Sequence, residues 1–165
     1  MGTELEPAVS PERLRTGFGC FPTGVLAICA LRGGEPVGMA ASSFTSVSLS
    51  PPLVSVCIQH TSTTWPVLRG APRVGLTVLA EQQSEHCARL ASRSGDRFAG
   101  VAWTATSDGA VFIDGGALWL DCAIEREIRA GDHDLVLLRV LGLRSGGSQA
   151  PLVFHGSRFR RLATS

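Results

Sequence analysis

The stretch Val25–Ile58 reads VLAICALRGGEPVGMAASSFTSVSLSPPLVSVCI. Its apolar runs are short, and turn residues separate them. Val25–Leu31 predicts a strand, Gly33 and Gly34 a hairpin-type turn, and Val37–Ser43 the returning strand, which ends in a loop. Pro51 and Pro52 then open another strand, Leu53–Ile58. Helical spacing is absent from the whole stretch, so it reads as sheet.

The same punctuation continues outward. Ser62–Leu68 predicts a short helical turn and Val74–Leu79 a strand. Over Gln82–Arg93 the period changes: Cys87, Leu90 and Ala91 fall at helical spacing with charges between them, which predicts an amphipathic helix. Ala117–Ile128, Leu135–Leu143 and a short pair around Leu152–Phe154 and Arg158–Leu162 supply the late strands. Gly115-Gly116 and Gly146-Gly147 read as further hairpin turns. Leu118, Leu120, Cys122 and Ile124 alternate with a mixed face that carries Trp119, expected to rest against a helix or a second subunit. Upstream, Ser10-Pro11-Glu12 has the cap hydroxyl, first-turn proline and acid of a helix start, and that helix must end before Pro22. The first nine residues are expected to form a loose tail. Many strands and two or three helices imply a mainly β barrel or sandwich.

A length of 165 residues suits one domain spanning 1–165, large enough to bury about two-thirds of its unfolded surface without disulfides or metal. Net charge is +1, and all 15 basic residues are arginine; they are scattered, so no face for nucleic acid is built. The five cysteines form no CxxC pair and do not resemble a secreted disulfide framework. The sequence has neither a signal peptide nor an apolar run of the roughly 20 residues that a membrane span needs, so a cytoplasmic location is expected.

Three segments carry chemistry. In Gly38–Pro52, small residues and hydroxyls (Ala40, Ala41, Ser42, Ser43) allow a planar ligand close to the backbone and offer donors for polar edges. In Cys57–Trp65, hydroxyls at Thr61, Ser62, Thr63 and Thr64 precede a helix start, a natural phosphate site that also serves ordinary capping. Gly131-Asp132-His133 lies in a strand–strand turn. Taken alone, Gly38–Pro52 better suits a Ser-rich turn without a ligand, the hydroxyls after Cys57 serve a cap and an anion site together, and His133 suits a polar rim residue better than a catalyst. The sequence holds no HExxH, no GxSxG and no Cys/His cluster, and it lacks a GxGxxG, so a dinucleotide is not expected on a Rossmann unit.

FPTGV (Phe21–Val25), GMAASSFTSVSLSPPLV (Gly38–Val54), RFAGVAW (Arg97–Trp103), GDH (Gly131–His133) and PLVFHGSRFRRL (Pro151–Leu162) occur in this order. Together they make the chain resemble the flavin reductase-like family, over about Phe18–Leu162. The resemblance implies an FMN-binding split β-barrel of Greek-key type with a few peripheral helices. It implies an NAD(P)H:flavin oxidoreductase using FAD or FMN with NADH or NADPH, a likeness to the reductases that supply reduced flavin to a separate monooxygenase. Family members are typically homodimers, and Trp65, Trp103 or Trp119 are candidates for that contact.

Site residues follow from the same likeness. Met39, Ala40, Ser42, Ser43 and Ser48 are implied at the flavin wall, with Pro22 and Thr23 close by. Cys57 and Gln59 resemble positions beside the ring, and Ser62, Thr63 and Thr64 those near the phosphate. Phe98, Ala99 and Gly100 resemble a loop that closes over the flavin, and His133 the histidine that positions the nicotinamide. Two departures stand out: Phe154 where many members have Tyr, and Arg139 where Gly often follows the GDH strand. A flavin carrier without turnover, and a split-barrel enzyme of other use such as a pyridoxamine-phosphate oxidase relative, remain alternatives.

Overall fold

The computed structural model describes the chain except Met1, Thr3, Glu6, Ala8, Val9 and Ser165. The expected tail over residues 1–9 therefore lies largely outside the described residues.

Helix α1 (Pro11–Phe18) starts as its sequence dictates: Ser10 Oγ accepts a hydrogen bond from the Arg13 amide at 3.2 Å, with Pro11 in the first turn. A two-residue strand β1 (Thr23–Gly24) precedes the hairpin of β2 (Leu26–Arg32) and β3 (Glu35–Ala41), whose turn holds Gly33 and Gly34 at positive φ. Next come β4 (Thr45–Leu49), β5 (Pro52–Gln59), helix α2 (Trp65–Arg69) and β6 (Val74–Val78). After a 3-10 turn over Glu81–Gln83 comes α3 (Ser84–Ala91). Strands β7 (Trp103–Ala105), β8 (Val111–Ile113), β9 (Leu118–Ala130), β10 (His133–Ser145), β11 (Val153–His155) and β12 (Arg158–Arg160) finish the chain.

Seven strands form one antiparallel sheet in the order β3-β2-β6-β9-β10-β5-β4. Strands β5 and β6 are consecutive in sequence but do not pair: α2 carries the chain between them, and β6 inserts between β2 and β9. This non-sequential return is the Greek-key element of the mainly β fold. The sheet curls until the end of β3 meets β5, where Ser43 Oγ hydrogen-bonds both polar backbone groups of Cys57.

Strand β2 is buried on both faces, and its period of two divides its residues between two cores. Leu26, Ile28 and Ala30 face the barrel interior with Val56, Ile58, Leu76, Val136 and Leu138. Ala27 and Cys29, with the adjoining Val25, face a second core made with α3, β8 and Leu152. The cleft described below lies where these layers meet.

Several local expectations needed correction. The loop expected after Ser43 contains an edge strand, β4, which is exposed and slips register on β5 between Ser46 and Ser48. Strands β7 and β8, three residues each, are too short to leave a periodic signal and were not anticipated. Gly115-Gly116 joins two strands that do not pair, and Gly146-Gly147 leads out of β10 toward Pro151; neither is a hairpin turn. Trp119 rests on β8 rather than on a helix: its ring stacks on Phe112 at 5.0 Å and its Nε1 donates to the Ile113 carbonyl. Trp65 is 3% exposed in the barrel core, which removes it from any subunit contact.

Candidate active site

A cleft of about 760 Å³ opens between the ends of β3 and β5, the loop before α2 and the C-terminal end of α3. Its size suits a cofactor-sized ligand. Met39, Ala40, Ser42 and Ser43 form one wall. Cys57 and Gln59 come from β5, Ser62, Thr63 and Thr64 from the loop, and His133 from the first position of β10, cross-strand from Gln59. These implied site residues, separate in sequence, line one cavity.

Other implied residues do not line it. Ser48 is on β4, and Pro22 and Thr23 are at β1, where Thr23 pairs with Phe154 and its hydroxyl oxygen is buried without a partner. Phe98 packs on the second core instead of covering the cleft, and Ala99 and Gly100 are exposed beside it. The structure therefore does not bring Phe98, Ala99 and Gly100 over the cavity.

The cleft also recruits residues that the sequence reading left without a role, among them Ala91, Arg93 and Arg97. Arg97 braces three segments: its Nε donates to Ser92 O at 2.8 Å, and its Nη1 to Gly38 O at 2.8 Å and Thr64 Oγ1 at 2.9 Å. It lies in the RFAGVAW string, but no local pattern announces bonds to residues 59 and 33 positions away. Gly38 must be glycine for this approach, because a Cβ there would lie 2.5 Å from Cys29 Sγ and 3.0 Å from the Phe98 ring.

The hydroxyls divide by task. Ser43 Oγ donates to Cys57 O and accepts from Cys57 N, so it ties the wall together. Ser62 Oγ accepts from the Trp65 amide at 3.1 Å and caps α2, a role that Thr64 does not take. Among the described residues Ser42, Thr61 and Thr63 make no such bonds, and all three line the cleft.

At the rim, the Asp132 carboxylate lies 2.7 Å from His133 Nδ1. That hydrogen bond, ahead of the charge of the ring itself, holds the Asp132 carboxyl below the usual carboxylate range. An ionised carboxylate only accepts, so Nδ1 carries the proton and Nε2 is left for the cleft. Behind it, His60 pairs with Asp134 at 2.9 Å, and Arg69 joins Asp134 to Glu127, which also accepts from Trp65 Nε1. This network pins α2 to the β9–β10 hairpin and so anchors the loop before α2, whose Ser62, Thr63 and Thr64 line the cleft.

The donor set suits a phosphorylated planar ligand. Two arginines and a histidine line the cavity, no carboxylate does, and the small side chains at Ala40 and Ala41 permit close approach to the backbone. No grouping of three or more metal-ligating side chains occurs among the described residues.

A protein-family model described as "Flavin reductase like domain" matches residues 18–163. The reductase subunit of a flavin-dependent monooxygenase from Rhodococcus jostii is 37% identical over 158 residues, 96% of this chain and 81% of that one. A flavin reductase of Pseudomonas putida is 38% identical over 92% of this chain and 89% of its own. The solved structure of a Streptomyces globisporus NADH:FAD oxidoreductase, in complex with NAD and FAD fragments, superposes with a TM-score of 0.87 at 38% identity, covering 96% of this chain and 98% of that one.

Proposed function

The chain belongs to the flavin reductase-like family, and from that premise we propose that its cleft binds FAD or FMN for reduction by NADH or NADPH, with the reduced flavin passing to a separate monooxygenase. The observation that carries this reading is the cleft itself: a small-residue wall, free hydroxyls and cationic side chains, without a carboxylate in the lining. Hydride transfer between nicotinamide and flavin is chemistry that the two cofactors supply when bound.

The chain's own part is to bind, orient and exclude water. Met39, Ala40, Ser42 and Ser43 form the wall for the planar ring, and Cys57 and Gln59 flank it. Ser62, Thr63 and Thr64 serve the phosphate end beside Arg97, which holds the loop in place. His133, oriented by Asp132, positions the nicotinamide and exchanges no proton. All of these groups lie within one domain.

We read Pro22, Ser48, Ala99 and Gly100, implied for the flavin yet off this cavity wall, as completing it from a second copy in a homodimer, while Thr23 and Phe98 pack within their own protomer. Exposed apolar side chains support that reading, Leu49 on the β4 edge at 96% and Leu143 on β10 at 70%. Location is proposed as cytoplasmic, in keeping with five unpaired cysteines. Among the described residues no helix is long and apolar enough to cross a membrane.

Steady-state oxidation of NADH and NADPH with FMN, FAD and riboflavin tests the function. Turnover with at least one pair is expected; failure of every pair sinks the reading. Sedimentation of the purified protein tests the dimer.

A further inference from the structure

A second cavity, of about 390 Å³, opens where the link from β8 to β9 meets the end of β10. No lining residue is common to it and the cleft. Three of its lining positions are glycine: Gly115, at positive φ, and Gly116 on the link, and Gly146 just past β10. A Cβ at Gly146 would run into the Gly116 carbonyl and one at Gly116 into the Thr77 side chain, so this part of the wall is bare backbone.

Two opposite charges line the cavity without meeting. Thr104 Oγ1 donates to Asp114 Oδ1 at 2.8 Å and holds that carboxylate. The Arg144 guanidinium lies 5.0 Å from the centre of the Trp119 ring, a cation–π contact that holds it in turn. Among the described residues neither Asp114 nor Arg144 belongs to an ion pair.

We propose that this cavity binds a small zwitterion, a free amino acid, with its carboxylate on Arg144 and its primary ammonium on Asp114. The site stands apart from the cleft and does not depend on what the cleft binds. Its volume lies near the small end of the roughly 300–1,000 Å³ range of ligand pockets, which suits an amino acid better than a nucleotide. A cation and an anion in one cavity select a ligand that carries both charges. A lone anion such as phosphate is drawn to Arg144 and repelled by Asp114, and a lone cation meets the reverse.

Trp119 narrows the choice further. Its ring stacks on Phe112 at 5.0 Å and carries Arg144, and its Nε1 is spent on the Ile113 carbonyl. The aromatic surface that a quaternary ammonium or a flat ring would need is therefore already taken, whereas Asp114 rewards N–H donors. The walls are also set before a ligand arrives. Gln83 Nε2 donates to Asp114 O at 2.7 Å, and Gln82 Nε2 donates to Gln149 Oε1, on the cavity wall, at 3.2 Å. Both glutamines belong to the 3-10 turn that leads into α3, so one element braces two parts of the site.

Calorimetric titration of the wild-type protein with each proteinogenic amino acid, with and without FMN, tests the proposal. Saturable binding of at least one, unaffected by FMN, is expected. The N-acetyl derivative and the amide of that amino acid are each expected to bind roughly ten-fold or more weakly, the scale of one lost hydrogen bond between charged groups. Asp114→Asn and Arg144→Gln are expected to cause the same loss while the free variants melt as the wild type does. The derivatives read the two charges on the wild-type protein, so the test stands even if a variant folds poorly. Failure of every amino acid to bind overturns the proposal, as does equal affinity for the acetylated and amidated forms. Displacement by FMN would put the ligand in the cleft, and full affinity in both variants would put it elsewhere; either result overturns the assignment.

Discussion

The hydroxyl of Ser43 does the work of a backbone ladder for Cys57, donating to its carbonyl at 3.1 Å and accepting from its amide at 2.9 Å. Strand β4 stops pairing with β5 at Thr45 and Ser55, so the Ser43 side chain takes over where the ladder ends. It thereby joins two walls of the cleft that sit on opposite sides of the sheet order.

Ser43→Ala leaves both Cys57 groups without this partner. A stability loss of about 1–3 kcal/mol is expected, with weaker flavin binding because the walls separate. Urea unfolding and flavin titration check the two effects. Unchanged stability would show that the ladder closes without the hydroxyl.

Gly38→Ala inserts a methyl group between Cys29, which is fully buried, and the Phe98 ring. Overpacking of this kind costs about 1–3 kcal/mol and displaces the Arg97 loop with Phe98. A lower urea midpoint at constant slope is the expected result.

Arg97→Lys retains the charge but not the planar fork that serves Ser92, Gly38 and Thr64 together. Flavin affinity is expected to fall for FMN and FAD alike, because the loop carrying Thr64 loses its brace. Riboflavin, lacking phosphate, is expected to be affected least. A uniform collapse of secondary structure by circular dichroism would instead make Arg97 a folding residue only.

Thiol labelling distinguishes the cysteines. Burial raises the thiols of Cys29 and Cys87, and raises Cys122 to about 12 with help from the Asp121 charge, so these three are expected to resist labelling in the folded protein. Exposed Cys20 and Cys57 are expected to react. Flavin should protect Cys57, which lines the cleft, and leave Cys20 reactive. Mass spectrometry of labelled peptides reads each site.

The bidentate pair between Arg139 and Glu125, at 2.8 and 2.7 Å, holds the Glu125 carboxyl below its usual range through the hydrogen bonds first and the charge second. A depressed folded-state pKa stabilises fully above the ordinary carboxylate value and is lost as pH falls through the folded value. Glu125→Gln is expected to lower the melting temperature slightly at pH 7. That gap should close below about pH 4. Both groups are exposed, so the effect is small and shrinks with salt. A gap that widens on acidification would contradict the assignment.

Much of the fold was legible because its signals are local. Gly33-Gly34 turns the β2–β3 hairpin, Ser10-Pro11 starts α1, and Leu120 and Cys122 alternate with Trp119 and Asp121 as a barrel wall requires. The short strands β7 and β8 and the edge strand β4 were not legible, because so few residues, or residues exposed on an edge, carry little period. For the cleft, the hydroxyl runs at Ser42-Ser43 and Thr61–Thr64 and the GDH turn marked the segments without revealing which hydroxyls were already spent.

By itself the sequence determined the strand-rich pattern, the turns and caps, and the segments bearing polar groups, since all depend on neighbours a few residues apart. Tertiary structure alone decided that Arg97 reaches Gly38, that Ser43 closes on Cys57, and that His60 meets Asp134 across 74 residues. Those contacts depend on how the seven-stranded sheet curls and where α3 lands on it. Such closure is set by packing between distant residues and leaves no local period to read.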